Sequence, residues 1–172
     1  MNTPDHAIAD REEPGSSSEP EVPLEPTVTC EMELDAPDVD PVWLHDMATE
    51  AISHLTRTTC RVTIRIIDDA EMIDLHVRYH DDPSTTDVLT FEATHEPMPL
   101  EVDIAICLDE GRRQSGDRKH DVNSELLLYV VHGLLHCCGY DDHDPEEHSI
   151  MHAEEDRILK AIGVGTIYGG DT

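Results

Sequence analysis

Lysine and aromatic side chains are scarce in this chain. Lys119 and Lys160 are its only lysines, and Phe91 and Trp43 stand alone as its phenylalanine and tryptophan. A surface that grips a phosphate backbone throughout needs many Lys and Arg, and a base-stacking platform needs a row of rings. Neither is a general property of this chain, so any nucleic acid must be held in a local groove. Long apolar runs are missing too, and no stretch approaches the ~20 residues that span a bilayer. The N-terminus lacks the basic-then-apolar pattern of a secretory leader. The five cysteines, Cys30, Cys60, Cys107, Cys137 and Cys138, are odd in number and show no CxxC spacing. That argues against a disulfide framework and for a reducing compartment. The chain reads as soluble and cytoplasmic.

Acid, by contrast, is abundant. Thirty-nine Asp and Glu face 11 Lys and Arg, a formal charge of −28 over 172 residues. Residues 1–27 are rich in Pro, Ser and Glu and carry almost no large apolar side chains. Such a segment cannot bury enough surface to offset its ordering entropy, so an acidic disordered tail is expected there. Residues 28–165 are expected to form one domain, long enough to bury a real core, and residues 166–172 a flexible end.

Within that domain the periodicity alternates between strand and helix. Val28 to Leu34 reads as a weak strand. Cys60 to Ile67 is a clear one, with Val62, Ile64 and Ile66 set against Arg61, Thr63 and Arg65. Asp87 to Glu92 and Val102 to Leu108 read as two more. Asp40-Pro41 and Asp144-Pro145 are helix starts, each with an N-cap acid before a first-turn proline. Glu110 to Val122 is a polar stretch holding Arg112, Arg113, Arg118 and Lys119. Elements in this order predict an α+β fold, a small mixed sheet of about four strands packed with helices.

The chemistry concentrates between Asn123 and Glu155. An apolar helix there carries His132 and His136, four residues apart and therefore on one face. Gly139 allows the helix to close in a left-handed turn, after which Asp141, Asp142 and His143 follow at once. Two imidazoles and a returning third ligand are the donor set of a catalytic zinc site with one coordination position left open. The metal site thus falls on a helix in the C-terminal half, and residues 28–165 read as a metal-dependent hydrolase domain. The pentad His132-Gly133-Leu134-Leu135-His136 lacks the glutamate of HExxH. A zinc peptidase would be without its general base.

These residues resemble a known family. HGLLHCCGYDD is similar to the HGxLHLxGYDH signature of the YbeY endoribonucleases, TTDVLTF to their PTDVLSF segment, VDIAIC to their GDIxI strand, and MHAEEDRIL to their closing helix. The resemblance implies a Zn²⁺-dependent endoribonuclease cutting single-stranded RNA. It would act in 16S rRNA 3′-end maturation and ribosome quality control, with the small ribosomal subunit as partner. It carries two metal ligands onto His132 and His136 and the third onto Asp142, where the family has histidine; His143 lies one residue further on. Register favours Asp142, and a carboxylate there would make a bound water less acidic. A family arginine thought to engage RNA phosphate falls on His80, with Arg78 two residues earlier, and Glu101 replaces a family glycine. Arg112, Arg113, Arg118 and Lys119 are candidates for an RNA phosphate track. The alternative is a non-catalytic ribosome-assembly factor whose zinc, held by four ligands, is structural.

Overall fold

The computed structural model describes residues 25–167. Nearly all of the expected tail 1–27, and most of segment 166–172, lie outside the described residues. The elements run β1 (Thr27–Met32), α1 (Pro41–Ile52), β2 (Thr59–Ile67), α2 (Asp69–His80), β3 (Val88–Glu92), β4 (Leu100–Cys107), α3 (Leu108–Arg118), α4 (Val122–Cys137) and α5 (Pro145–Ala161). The fold is α+β. Among the described residues a four-stranded sheet has strand order β1-β2-β4-β3, parallel except for β3, which pairs antiparallel with β4. Among the described residues no helix is long and apolar enough to cross a membrane.

Strand alternation divides the sheet into two faces. Val62, Ile64 and Ile66 of β2, with Val102, Ile104 and Ile106 of β4, point into the main core beside α1, α4 and α5. Ile67, Ala105, Cys107 and Leu89 point the other way and are covered by Met72 and Leu75 of α2. Arg61, Thr63 and Arg65 share that second face, where Arg61 pairs with Asp103 of β4 and Arg65 with Glu71 of α2.

The central element is α4. Leu126 to Val131 are all buried, as are Leu134 and Leu135. A helix apolar on nearly every side must be surrounded, and α1, α3, α5 and the sheet do so. Each large side chain so buried is worth about 1.5–3 kcal/mol against exposure.

Two helix starts match their sequence expectation closely. Asp40 accepts from the backbone of Val42 and Trp43, and Asp144 from Glu146 and Glu147. The polar stretch after Leu108 is helical as well. Its inward stripe is Leu108, Gly111 and Ser115, mostly small residues that leave no apolar periodicity to read. Their smallness is what brings α3 onto α4, since a Cβ at Gly111 would stand 2.9 Å from Leu126 Cδ2.

Candidate metal centre

Both histidines stand on the last two turns of α4, on the side facing α5 and solvent. Gly133, between them, faces the sheet instead. A Cβ there would meet Thr90 Cγ2 at 2.8 Å and Val88 Cγ2 at 3.2 Å. The position that would carry the glutamate of HExxH is therefore pressed against β3, away from the histidine face. The helix closes at Gly139, whose φ of +89° is open to glycine. Tyr140 N then donates to Leu135 O at 3.1 Å and Gly139 N to His136 O at 3.0 Å, a Schellman-type ending. This reversal turns the Tyr140 carbonyl towards His136 and brings Asp142 over both imidazoles.

His132, His136 and Asp142 converge. The two Nε2 atoms are 3.0 Å apart. Asp142 places Oδ2 3.7 Å from His132 Nε2 and Oδ1 3.9 Å from His136 Nε2. One donor atom from each of the three residues lies within 4.8 Å of the others. His132 is largely buried, whereas the His136 and Asp142 side chains are about one-third exposed, so the group opens to solvent on one side.

The outer nitrogens define what the inner ones offer. His136 Nδ1 lies 3.1 Å from Tyr140 O. A carbonyl only accepts, so Nδ1 carries the proton and Nε2 a lone pair. His132 Nδ1 lies 2.7 Å from Glu155 Oε1, which fixes the same tautomer on that ring. Two lone pairs and a carboxylate then face one another with no donor between them. Such a set is repulsive by itself and suited to a cation, and it fits the borderline N and O preferences of zinc. Burial disfavours charge on His132, but the Glu155 hydrogen bond and the carboxylates of Glu155, Asp87 and Asp142 outweigh it and hold its pKa above the ordinary imidazole value.

Two residues not among the candidate ligands support the site, the first of them inside the MHAEEDRIL segment. Glu155 is completely buried. It occupies the apolar stripe of α5 formed by Met151, Ile158 and Leu159, and its Oε2 has no hydrogen bond. A lone acid on an apolar helical stripe is a signal that was available in the sequence. Arg57 is the other, and nothing in its neighbourhood announces it. Its buried guanidinium donates to Glu92 Oε1 at 2.7 Å, Cys137 O at 3.0 Å, Thr94 O at 3.1 Å and Met98 O at 3.2 Å. It thereby ties the carboxyl end of α4 to the connection after β3.

The remaining candidates fall elsewhere. His143 is mostly exposed and turns to Asp141, although Asp141, Asp142 and His143 also form a close group. Arg78 and His80 occupy the exposed last turn of α2, across the sheet from α4, and His80 stacks loosely on His76. Neither bonds or pairs with the three converging side chains among the described residues. Three of the four bases around α3 face carboxylates: Arg112 pairs with Asp38, Arg113 with Asp69 and Glu110, and Arg118 with buried Glu125. Lys119 is the exposed left-handed residue that ends α3.

The family model described as Endoribonuclease YbeY matches residues 34–163. Endoribonuclease YbeY of Mycobacterium tuberculosis (strain ATCC 25618 / H37Rv) is 33% identical over 135 residues, 72% of this chain and 76% of that protein. Its namesake from Mycolicibacterium gilvum (strain PYR-GCK) is 37% identical over 106 residues, 55% and 60% of the two chains. The solution structure of TM1509 from Thermotoga maritima superposes with a TM-score of 0.54 at 18% identity, covering 84% of this chain and 97% of that one. That last likeness concerns the fold. With the family model and the mycobacterial relatives spanning most of its length, this chain belongs to the YbeY family.

Proposed function

We propose that this protein is a metal-dependent endoribonuclease that hydrolyses phosphodiester bonds in single-stranded RNA. We further propose that Zn²⁺ is its metal and that it acts in 16S rRNA maturation and ribosome quality control, on a precursor carried by the small subunit. The reading rests on the family and, above all, on one observation: His132, His136 and Asp142 bring one potential ligand atom each within 4.8 Å of the others. A divalent ion held there would supply a water of lowered pKa and polarise a phosphoryl oxygen. Glu155 and the Tyr140 carbonyl keep both imidazoles in the metal-ready tautomer. Asp142 adds one negative charge, which keeps the bound water less acidic than three neutral imidazoles would. The exposed edge formed by His136 and Asp142 leaves an approach for the scissile phosphate.

The number of donors favours an enzyme over a structural zinc site. Among the described residues, no fourth His, Cys, Asp or Glu atom joins the three, whereas structural sites are closed by four ligands. A peptidase mechanism of the HExxH type has no place for its base, because Gly133 lies against β3.

The test is cleavage of an unstructured single-stranded RNA by the purified full-length protein, with and without a chelator. Cleavage should vanish on chelation, return with Zn²⁺, and be lost in His136→Ala. Cleavage that survives both treatments, or no cleavage by zinc-loaded protein, overturns the proposal.

A further inference from the structure

One turn before His132, α4 buries a second polar feature that the triad does not use. Tyr129 is 3% exposed, and its hydroxyl has no hydrogen-bond partner. Burial and the neighbouring Glu125 carboxylate raise the phenol pKa, and that carboxylate already accepts from Arg118 and His120. A buried hydroxyl left unpaired costs about 1–3 kcal/mol, so a ligand that accepts from it in good geometry is favoured.

Tyr129 lines a cleft of about 280 Å³ with Thr86, Asp87, Glu110, Gln114 and Arg118. One water needs only ~15 Å³ measured in this way, while pockets for drug-sized ligands begin near 300 Å³. The cleft therefore suits a small ring system. Its walls also indicate the chemistry. Asp87 spends Oδ1 on Thr86 and Val88, and Gln114 spends its amide N–H on Glu110. Asp87 Oδ2 and Gln114 Oε1 make no hydrogen bond among the described residues. Two acceptors thus stand beside one phenolic donor. Glu110 is paired with Arg113 and Arg118 with Glu125, so the charge left over in the wall is the Asp87 carboxylate, which disfavours a phosphate and favours a neutral ligand with N–H donors and a ring or carbonyl acceptor. A nucleobase with an exocyclic amino group has that edge.

The cleft also lies next to the triad. Tyr129 and His132 are neighbours at i and i+3 on one helix, and Asp87 precedes Val88, which packs against Gly133.

We propose that this cleft is a base-recognition subsite, which receives an amino-bearing nucleobase of the RNA strand whose backbone meets His132, His136 and Asp142. The inference rests on the nuclease reading for its substrate, and its test separates the two. Zinc-loaded protein labelled for NMR is titrated with millimolar adenosine, cytidine, guanosine and uridine. Shifts should centre on Thr86, Asp87, Gln114 and Tyr129, be weakest for uridine, and be lost in Tyr129→Phe. In cleavage of RNAs varied at each position around the cut, wild type should disfavour uridine at one position, and Tyr129→Phe should lose roughly three- to tenfold of that preference, the worth of one hydrogen bond. Its zinc content should not change. A cleft that merely holds water predicts a slightly more stable Tyr129→Phe with an unaltered preference. Nucleosides that leave these residues unshifted, or a variant with wild-type nucleoside binding and wild-type preference, overturn the subsite. Nucleoside shifts in a protein that cuts no RNA support the subsite while removing the nuclease reading.

Discussion

Replacing Glu155 by glutamine separates support of a metal ligand from support of the fold. The carboxylate is fully buried, receives His132 Nδ1 at 2.7 Å and leaves Oε2 without a hydrogen bond. Glutamine preserves the volume and an accepting oxygen but removes the charge. In the metal-free protein that change relieves the desolvation of a buried anion, so stability should hold or rise. In the metal-loaded protein it weakens the electron donation and orientation that Glu155 gives to His132. Changes behind a metal-binding histidine typically cost 10–100-fold in affinity, or about 1.4–2.7 kcal/mol. At fixed free zinc the same quantity disappears from the metal's contribution to folding. For a domain of this size one kcal/mol moves Tm by about 4 °C, so the zinc-induced rise in Tm should shrink by roughly 5–10 °C. The assay is a chelator-competition titration for zinc Kd, with melts of metal-free and metal-loaded forms. Equal zinc affinity in wild type and Glu155→Gln would refute the assignment of His132 as a ligand oriented by Glu155. An equal fall in both melting temperatures would make Glu155 a packing residue.

Four further outcomes follow from the same geometry. Asp142→Ala should lose stoichiometric zinc by elemental analysis while His143→Ala retains it, because His143 turns to Asp141; the reverse result would exchange the two. Gly133→Ala should lower the unfolding free energy, measured by denaturant titration, by about 1 kcal/mol: overpacking against Thr90 and Val88 costs ~1–3, partly offset by about 1 gained in helix propensity. A more stable Gly133→Ala would mean that the contact with β3 is not tight. Arg57→Met should cost about 3 kcal/mol by denaturation, since it strands Glu92 and three carbonyl oxygens, and Arg57→Lys should not restore it, because an ammonium cannot serve that fan of acceptors. The paired Arg113 guanidinium holds the Asp69 carboxyl well below its usual range. A depressed folded pKa gives stability that is present above the unfolded value near 4 and lost as pH falls below it. Stability of Asp69→Asn should therefore decline less steeply than wild type in that acid range, and identical curves would show that the pair contributes nothing.

How much of this was legible depended on whether the signal was local. β2 announces itself, because Val62, Ile64 and Ile66 are buried while the residues between them are not. The caps at Asp40 and Asp144 are equally plain, since an N-cap needs only its own next three residues. α3 is not plain, because Gly111 and Ser115 carry its buried face and a hydrophobic pattern has nothing to count. The site divides in the same way. His132, His136 and the glycine turn are written within a few residues; register favoured Asp142 with His143 left open, and it is Asp142 that lies beside both histidines. Arg57 could not be found, since its partners Glu92, Thr94, Met98 and Cys137 are 35 to 80 positions away.

Reading loop bases as a phosphate track failed to anticipate their partners for a related reason. In a chain with 39 acids and 11 Lys and Arg, an arginine meets a carboxylate of its own fold before it meets an RNA. Arg112, Arg113 and Arg118 all do so. The excess of acid therefore bears directly on function. A surface of this sign repels a phosphate backbone, and if the triad holds a cation as proposed, RNA affinity should come from it and from contacts to bases rather than from arginine and lysine. Counterion release then contributes little, and the slope of log Kd against log salt should be well below the ~0.7 per phosphate contacted that is ordinary for single strands. Binding of a short single-stranded RNA to zinc-loaded protein across a salt series measures that slope. A steep dependence would show that the ion-paired arginines open to receive phosphates.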